Sequence, residues 1–168
     1  MLQAANLSDW KALPDRFTFI SDSKLREFAY ALNLKWKGLA KKFNLDQLYK
    51  GSSCRANCTS ILEVMNGRTF IAPGGRFREC YYWDTYWIVK GLIQSDMLDT
   101  AESVIRSFFE VINTYGFVPN GMRIYYLNRS QPPLLALMVE ELAYEYRMRF
   151  ASLKAVKLEQ DAIPVLIK

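Results

Sequence analysis

"LDTAESVIRSFFEVINTYG", residues 98–116, decides the fold class. Leu98, Ala101, Val104, Ile105, Phe108, Phe109, Ile112 and Tyr115 recur at steps of three and four, which places them on one face of a helix. Gly116 then offers the left-handed residue that closes such a helix. Upstream, helical character runs from about Tyr82 to Gln94. Downstream, the loop 116–133 carries Pro119, Asn120, Gly121 and a proline pair, and Ser130 with Pro132 reads as the start of a helix from Leu134 to about Arg149. The tail, 152–168, is weakly helical. Near the N-terminus, Leu25, Phe28, Leu32, Trp36, Leu39 and Phe43 predict one amphipathic helix over 24–43, capped by Ser21, Asp22 or Ser23. Residues 46–72 are irregular, with turns at Gly51, Ser52, Ser53, Asn66 and Gly67. The order is helix, long loop, helix, helix, long loop, helix. It predicts a single all-α domain of layered hairpins, with the two loops gathered at one end.

Composition narrows the chemistry. At 168 residues, 51% hydrophobic and 23% charged, the chain has the make-up of one globular domain, and its 14% aromatics are a surplus to be placed. The formal charge of +5 is spread along the sequence, so no nucleic-acid footprint emerges. The densest basic run, "KWKGLAKK" at 35–42, interleaves with the apolar stripe and reads as a solvated helix face. Histidine is absent. That removes the usual zinc ligands and the Ser-His and Cys-His nucleophile pairs, and leaves acid–base chemistry to carboxylates, tyrosines and lysines. Cys54, Cys58 and Cys80 do not make a zinc set, although Cys54 and Cys58 could close a small loop under oxidising conditions. No metal site is expected from these residues.

Three Asn-X-Ser/Thr triplets, at Asn6, Asn57 and Asn128, hint at a secretory route without establishing one. The first fifteen residues show no basic-then-apolar leader, and no apolar run approaches a membrane span. The compartment is left unassigned.

Chemistry gathers in the two loops. Pro73–Trp87, "PGGRFRECYYWDTYW", supplies Arg76, Arg78, Glu79, Tyr81, Trp83 and Asp84. The loop 116–133 supplies Asn120, Arg123, Tyr125, Tyr126, Asn128, Arg129 and Gln131. Planar hydrogen-bonding groups beside flat aromatic faces suit a carbohydrate, whose hydroxyls take forked donors and whose C–H faces lie on rings. The bland account makes Trp83, Tyr86 and Trp87 core residues and puts Arg76 and Arg78 in structural ion pairs. For two loops of the same unusual composition, a polar pocket is the better account. Glu79 and Asp84 do not read as a hydrolytic pair, because five residues along a helix is about 140° of rotation.

The stretch 73–87 resembles the first signature of the trehalase family of glycoside hydrolases: Pro-Gly-Gly-Arg-Phe, then Glu, Tyr, Trp-Asp and Tyr. Similarity continues through "IVKGLI" (88–93) and "GFVPNGMRIYYLNRSQPPLLALMV" (116–139), and more loosely "DAIPVLIK". It is close over roughly 70–140 and weak over 1–60. The resemblance implies a truncated part of an (α/α)6 toroid, six-hairpin glycosidase-like, acting without cofactor to split α,α-trehalose into two glucoses by inversion. It also implies sugar-binding roles for Arg76, Trp83, Asp84, Asn120, Arg129, Ser130 and Gln131. Arg76 and Arg129 would donate to hydroxyls, Asp84 would accept from them, and Trp83 would line the subsite.

Other family features are missing. The family's general acid, an Asp in a Glu-Ser-Gly-Trp-Asp segment, and its general base, a later Glu, belong to segments past Lys168. The sequence contains no "SGWD" and no "QWD". No catalytic residue is therefore expected within it, and inactivity of this chain alone is. A non-catalytic sugar-binding or interaction protein is the alternative. Part of a toroid would leave apolar helix faces uncovered and favour self-association. Family members are often secreted or membrane-anchored.

Overall fold

The computed structural model describes residues 2–46 and 59–167. The possible Cys54–Cys58 loop, the turn residues Gly51, Ser52 and Ser53, and the Asn57 triplet fall at least partly outside them. Among the described residues the fold is carried by α1 (Ser23–Asn33), α2 (Lys35–Leu39), α3 (Tyr82–Gln94), α4 (Leu98–Tyr115), α5 (Leu135–Met148) and α6 (Ser152–Leu166). A three-stranded antiparallel sheet joins them, made of β1 (Leu2–Ala4), β2 (Ala40–Phe43) and β3 (Thr69–Ile71), with β2 in the centre. Leu2 pairs with Phe43, and Ala40 pairs with Ile71.

The helix expected over 24–43 is corrected. It ends at Asn33, breaks into the short α2, and turns into strand at Ala40. Tertiary partners take over Asn33: its buried side-chain NH2 donates to the Lys11 carbonyl at 2.7 Å, and its backbone carbonyl accepts from the Trp10 indole at 3.1 Å. The stripe is split accordingly. Ala40 and Phe43 are buried, whereas Leu25, Phe28 and Leu32 face solvent. Lys41 and Lys42 thus sit on a central strand rather than on a solvated helix face. Strand pairing decided a segment whose spacing read equally well as helix.

The remaining helices lie where the sequence puts them. Gly116 closes α4 at φ 82°, donating to the Ile112 carbonyl at 2.8 Å. Val104, Ile105, Phe108, Val111 and Ile112 of α4 are buried, together with Val89, Leu92 and Ile93 of α3 and Met138, Leu142 and Tyr146 of α5. Tyr82 and Phe108 meet edge to face at 5.5 Å in this core. Trp36 of α2 lies across α3 at Gly91, where a Cβ would stand 2.9 Å from its ring, and its indole donates to Ser95 Oγ at 2.9 Å. The Trp36 contacts fix the C-terminal end of α3, and the Tyr82–Phe108 contact fixes its start, where both long loops meet.

Candidate functional site

The first loop opens with a tight turn. Gly74 and Phe77 exchange two backbone hydrogen bonds, of 3.1 and 3.0 Å, with Gly75 and Arg76 at the tip. Gly74 (φ 105°) and Gly75 (φ 58°) take left-handed backbone that other residues resist. Arg76 is therefore held out from the surface, with its guanidinium over the Phe77 ring at 5.0 Å. The chain then runs antiparallel to the second loop. Met122 donates to the Cys80 carbonyl at 3.3 Å, and Tyr82 to the Asn120 carbonyl at 3.2 Å. Gly121 faces Tyr81 in this bridge, where a Cβ would stand 3.0 Å from Tyr126 and 3.2 Å from Tyr81.

That glycine lets an aromatic row form. Phe77 meets Tyr81 edge-on at 5.9 Å, Tyr81 meets Tyr126 at 6.5 Å, and the Arg129 guanidinium lies over Tyr126 at 5.0 Å. The two arginines singled out in the sequence thus stand at opposite ends of a row of three rings. Neither has a carboxylate within ion-pair distance among the described residues, so their donors face solvent. Burial, with the neighbouring Tyr126 and Glu79, raises the Tyr81 phenol above its ordinary range, so Tyr81 is a neutral ring at neutral pH.

The other sequence-predicted residues divide between exposure and internal bonding. Trp83 is 44% exposed at the first turn of α3, and Trp87 one turn on is 62% exposed, so neither is a core ring. Asp84, in the same first turn, is half-buried beside a cleft of about 330 Å³. Trp36, Leu39, Ala72, Pro73, Trp87 and Ile88 complete that cleft's lining, which includes none of the other six predicted residues. Gln131 spends its side-chain carbonyl on the Trp83 amide at 3.0 Å, and Ser130 donates to the Val118 carbonyl at 2.6 Å. Ser130 is consequently a fastener of its own loop and not the cap of α5. The Asn120 backbone is engaged on both sides, since its amide also donates to the Arg129 carbonyl at 3.0 Å.

Glu79 has a different partner from the one its spacing tempts one to assign. Both its oxygens accept from Arg123 Nε, at 2.9 and 3.1 Å, and Arg123 Nη2 also reaches Oε1. Arg123 Nη1 donates to Ser60 Oγ at 2.9 Å. Glu79 is thus bound into a fork with Arg123, which raises the guanidinium further above its ordinary range, and it does not face Asp84 as a second carboxylate. The row Phe77–Tyr81–Tyr126 and the Glu79–Arg123 fork escaped the sequence reading because each depends on pairing across some 45 residues. The only signal available was the repeated Arg and Tyr content of the two loops.

A trehalase family model matches residues 2–165. The chain belongs to the trehalase family. It is 43% identical to human trehalase over 139 residues, which cover 83% of this chain and 23% of that protein. It is 46% identical to the trehalase of Dictyostelium discoideum over 133 residues, 79% of this chain and 21% of the relative. Among solved structures, the neutral trehalase of Saccharomyces cerevisiae superimposes with a TM-score of 0.54 at 38% identity, covering 60% of this chain and 18% of that one. The chain therefore spans less than a quarter of the length of these relatives. Its helices and small sheet correspond to part of the trehalase (α/α)6 toroid. The family match starts at residue 2 and so takes in the strand β1, within the stretch 1–60 whose motif resemblance is weak.

Proposed function

We propose that this chain carries sugar-binding residues of an α,α-trehalose hydrolase that acts by inversion, in one part of the catalytic domain. Arg76 and Arg129 donate to hydroxyls from the two ends of the aromatic row. Asp84 accepts from hydroxyls, Trp83 lines the subsite, and Asn120 adds side-chain polar groups. Gln131 and Ser130 act mainly by holding the loop and the start of α3. The observation that carries this reading is the convergence of two loops that put two guanidiniums, without a carboxylate partner among the described residues, on either side of three rings. Forked donors and flat apolar faces are what a pyranose needs.

Inversion requires one carboxyl to protonate the leaving oxygen and another to activate water across the glycosidic bond. Glu79 is committed to Arg123, and Asp84 has no second carboxylate among the described residues lining its cleft. The proposal accordingly assigns neither catalytic carboxyl to these residues, and the 168-residue chain alone is expected to release no glucose from trehalose. Calorimetry with trehalose tests the binding claim. The chain should bind, and Arg129→Ala should weaken binding by about 1.5–3 kcal/mol, the usual worth of hydrogen bonds to a charged group. Wild-type chain that takes up no trehalose overturns the reading. Glucose release that vanishes in Asp84→Asn would instead move Asp84 from binding to catalysis. A second reading, a non-catalytic interaction protein, is favoured by the solvent-facing apolar side of α1. It predicts association without trehalose binding.

A further inference from the structure

We infer that Glu79 and Arg123 are positioning residues for sugar binding: their forked ion pair fixes the loop bearing Arg76 against the loop bearing Arg129. The inference rests on the trehalose-binding reading above. Neither residue is placed on the sugar; each acts through its loop.

Three segments meet at this one guanidinium. Glu79 lies on the first loop and Arg123 on the second, and Ser60 contributes both its hydroxyl, to Arg123 Nη1 at 2.9 Å, and its carbonyl, to the Ile124 amide at 2.6 Å. Ile61 also pairs with Arg123 as a backbone bridge. A fork of parallel N–H···O bonds holds two groups in a common plane, so it restrains rotation as well as distance. A single hydrogen bond leaves that rotation free.

The fork is adjacent to the groups that need placing. Tyr81 follows Glu79 by two residues, and Tyr125 and Tyr126 follow Arg123 by two and three, meeting each other at 4.7 Å. The backbone bonds between Cys80 and Met122 and between Tyr82 and Asn120 continue the same seam. They set which residues oppose each other, and they reach as far as Cys80 and Met122. The fork joins the next residues along, toward the turn that presents Arg76. A disaccharide gripped by both Arg76 and Arg129 reads their separation, so a seam that hinges open weakens binding even while the chain stays folded.

A double-mutant cycle read in trehalose affinity tests this. The variants are Glu79→Gln, Arg123→Gln and the pair together, measured by calorimetry on the full chain well below each unfolding temperature. Each single change is expected to weaken trehalose binding about tenfold, and the double variant to be no worse than about twofold beyond the poorer single, because both remove the same fork. A purely structural pair would lower the unfolding temperature and leave the affinity of the folded chain alone. Both singles binding within about twofold of wild type would overturn the inference, as would a double variant showing the full product of the two losses. If Glu79→Gln does not fold, Ser60→Ala removes the third partner without unpairing a charge. It is expected to weaken binding about threefold, and unchanged affinity there counts equally against the inference. Wild-type chain that fails to bind trehalose sinks the functional reading and this inference with it. Wild-type binding with insensitive variants sinks this inference alone.

Discussion

Cys80 shows how a single residue ties the candidate site to the core. It sits between Glu79, which turns outward to Arg123, and the start of α3, and its thiol is 1% exposed. Burial pushes that thiol from its ordinary 9.0 up to about 12; a hydrogen bond with Thr85 opposes the rise, and the charges of Asp84 and Glu79 add to it. The consequence for stability has a definite sign. Below pH 9 both folded and unfolded chains hold the proton. Between about 9 and 12 the unfolded chain releases it and the folded one does not. Stability must therefore fall as pH rises through that window, by up to about 1.4 kcal/mol per pH unit from this group. Cys80→Ala should lose that slope. Urea unfolding of both proteins at pH 8 and pH 10 measures it, and equal losses in the two would refute the assignment. The same burial makes Cys80 a poor nucleophile, since the reactive species is the thiolate.

Among the elements, helix starts were the least legible part of the sequence. α1 is capped by its own neighbour, Asp22, which accepts from the Leu25 amide at 2.9 Å, and the sequence reading included that residue. α3, α4 and α5 have no local side-chain cap. Their first-turn amides are satisfied from far along the chain. Gln131 takes the Trp83 amide, Asp9 takes the Thr100 amide at 2.8 Å, and the Tyr82 hydroxyl takes the Leu135 amide at 3.2 Å. Helix bodies were readable because a 3.6-residue period is written locally. The caps were not, because each partner lies at least 48 residues away. The same rule explains β2, whose Ala40 and Phe43 fit a helical stripe until β1 and β3 are known to flank them. Distant capping has a measurable cost when removed. Asp9→Ala unpairs both the amide and the hydroxyl of Thr100 in a half-buried setting, and should cost about 1–2 kcal/mol. For a chain of this size that lowers the unfolding temperature by about 3–6 °C. Asp22→Ala, at an exposed cap, should cost about half as much. Melting curves in which Asp9→Ala matches wild type would show that water replaces the cap at no cost.

For the whole molecule, the unevenness of burial matters most. α6 spends one face, Ala155, Leu158, Ala162 and Val165, against α5, and α4 buries most of its stripe. α1 is different. Asn33 is its only buried residue, and its ring contact with the body is Tyr30 against Phe17 at 5.5 Å. Leu25 and Phe28, each 61% exposed, and Leu32 at 52% form one stripe, with Phe19 at 87% just before it. A stripe of three large apolar side chains on one helix is larger than the scattered single residues that a monomer's surface tolerates. The hydrophobic effect rewards covering it by about 25 cal/mol for each Å² removed from water, so a second copy is an available cover at raised concentration. Self-association through α1 is the expected outcome. Sedimentation should show a concentration-dependent rise in mass for the wild-type chain. In Leu25→Lys with Phe28→Lys, two charges on that stripe should hold the chain as a monomer without lowering its unfolding temperature, because neither side chain is buried. The exposed Leu153 and Ile163 of α6 provide the comparison, since α6 already spends its packing face. If lysines there abolish association while those on α1 do not, the contact lies on α6 and the unspent stripe of α1 is simply solvated.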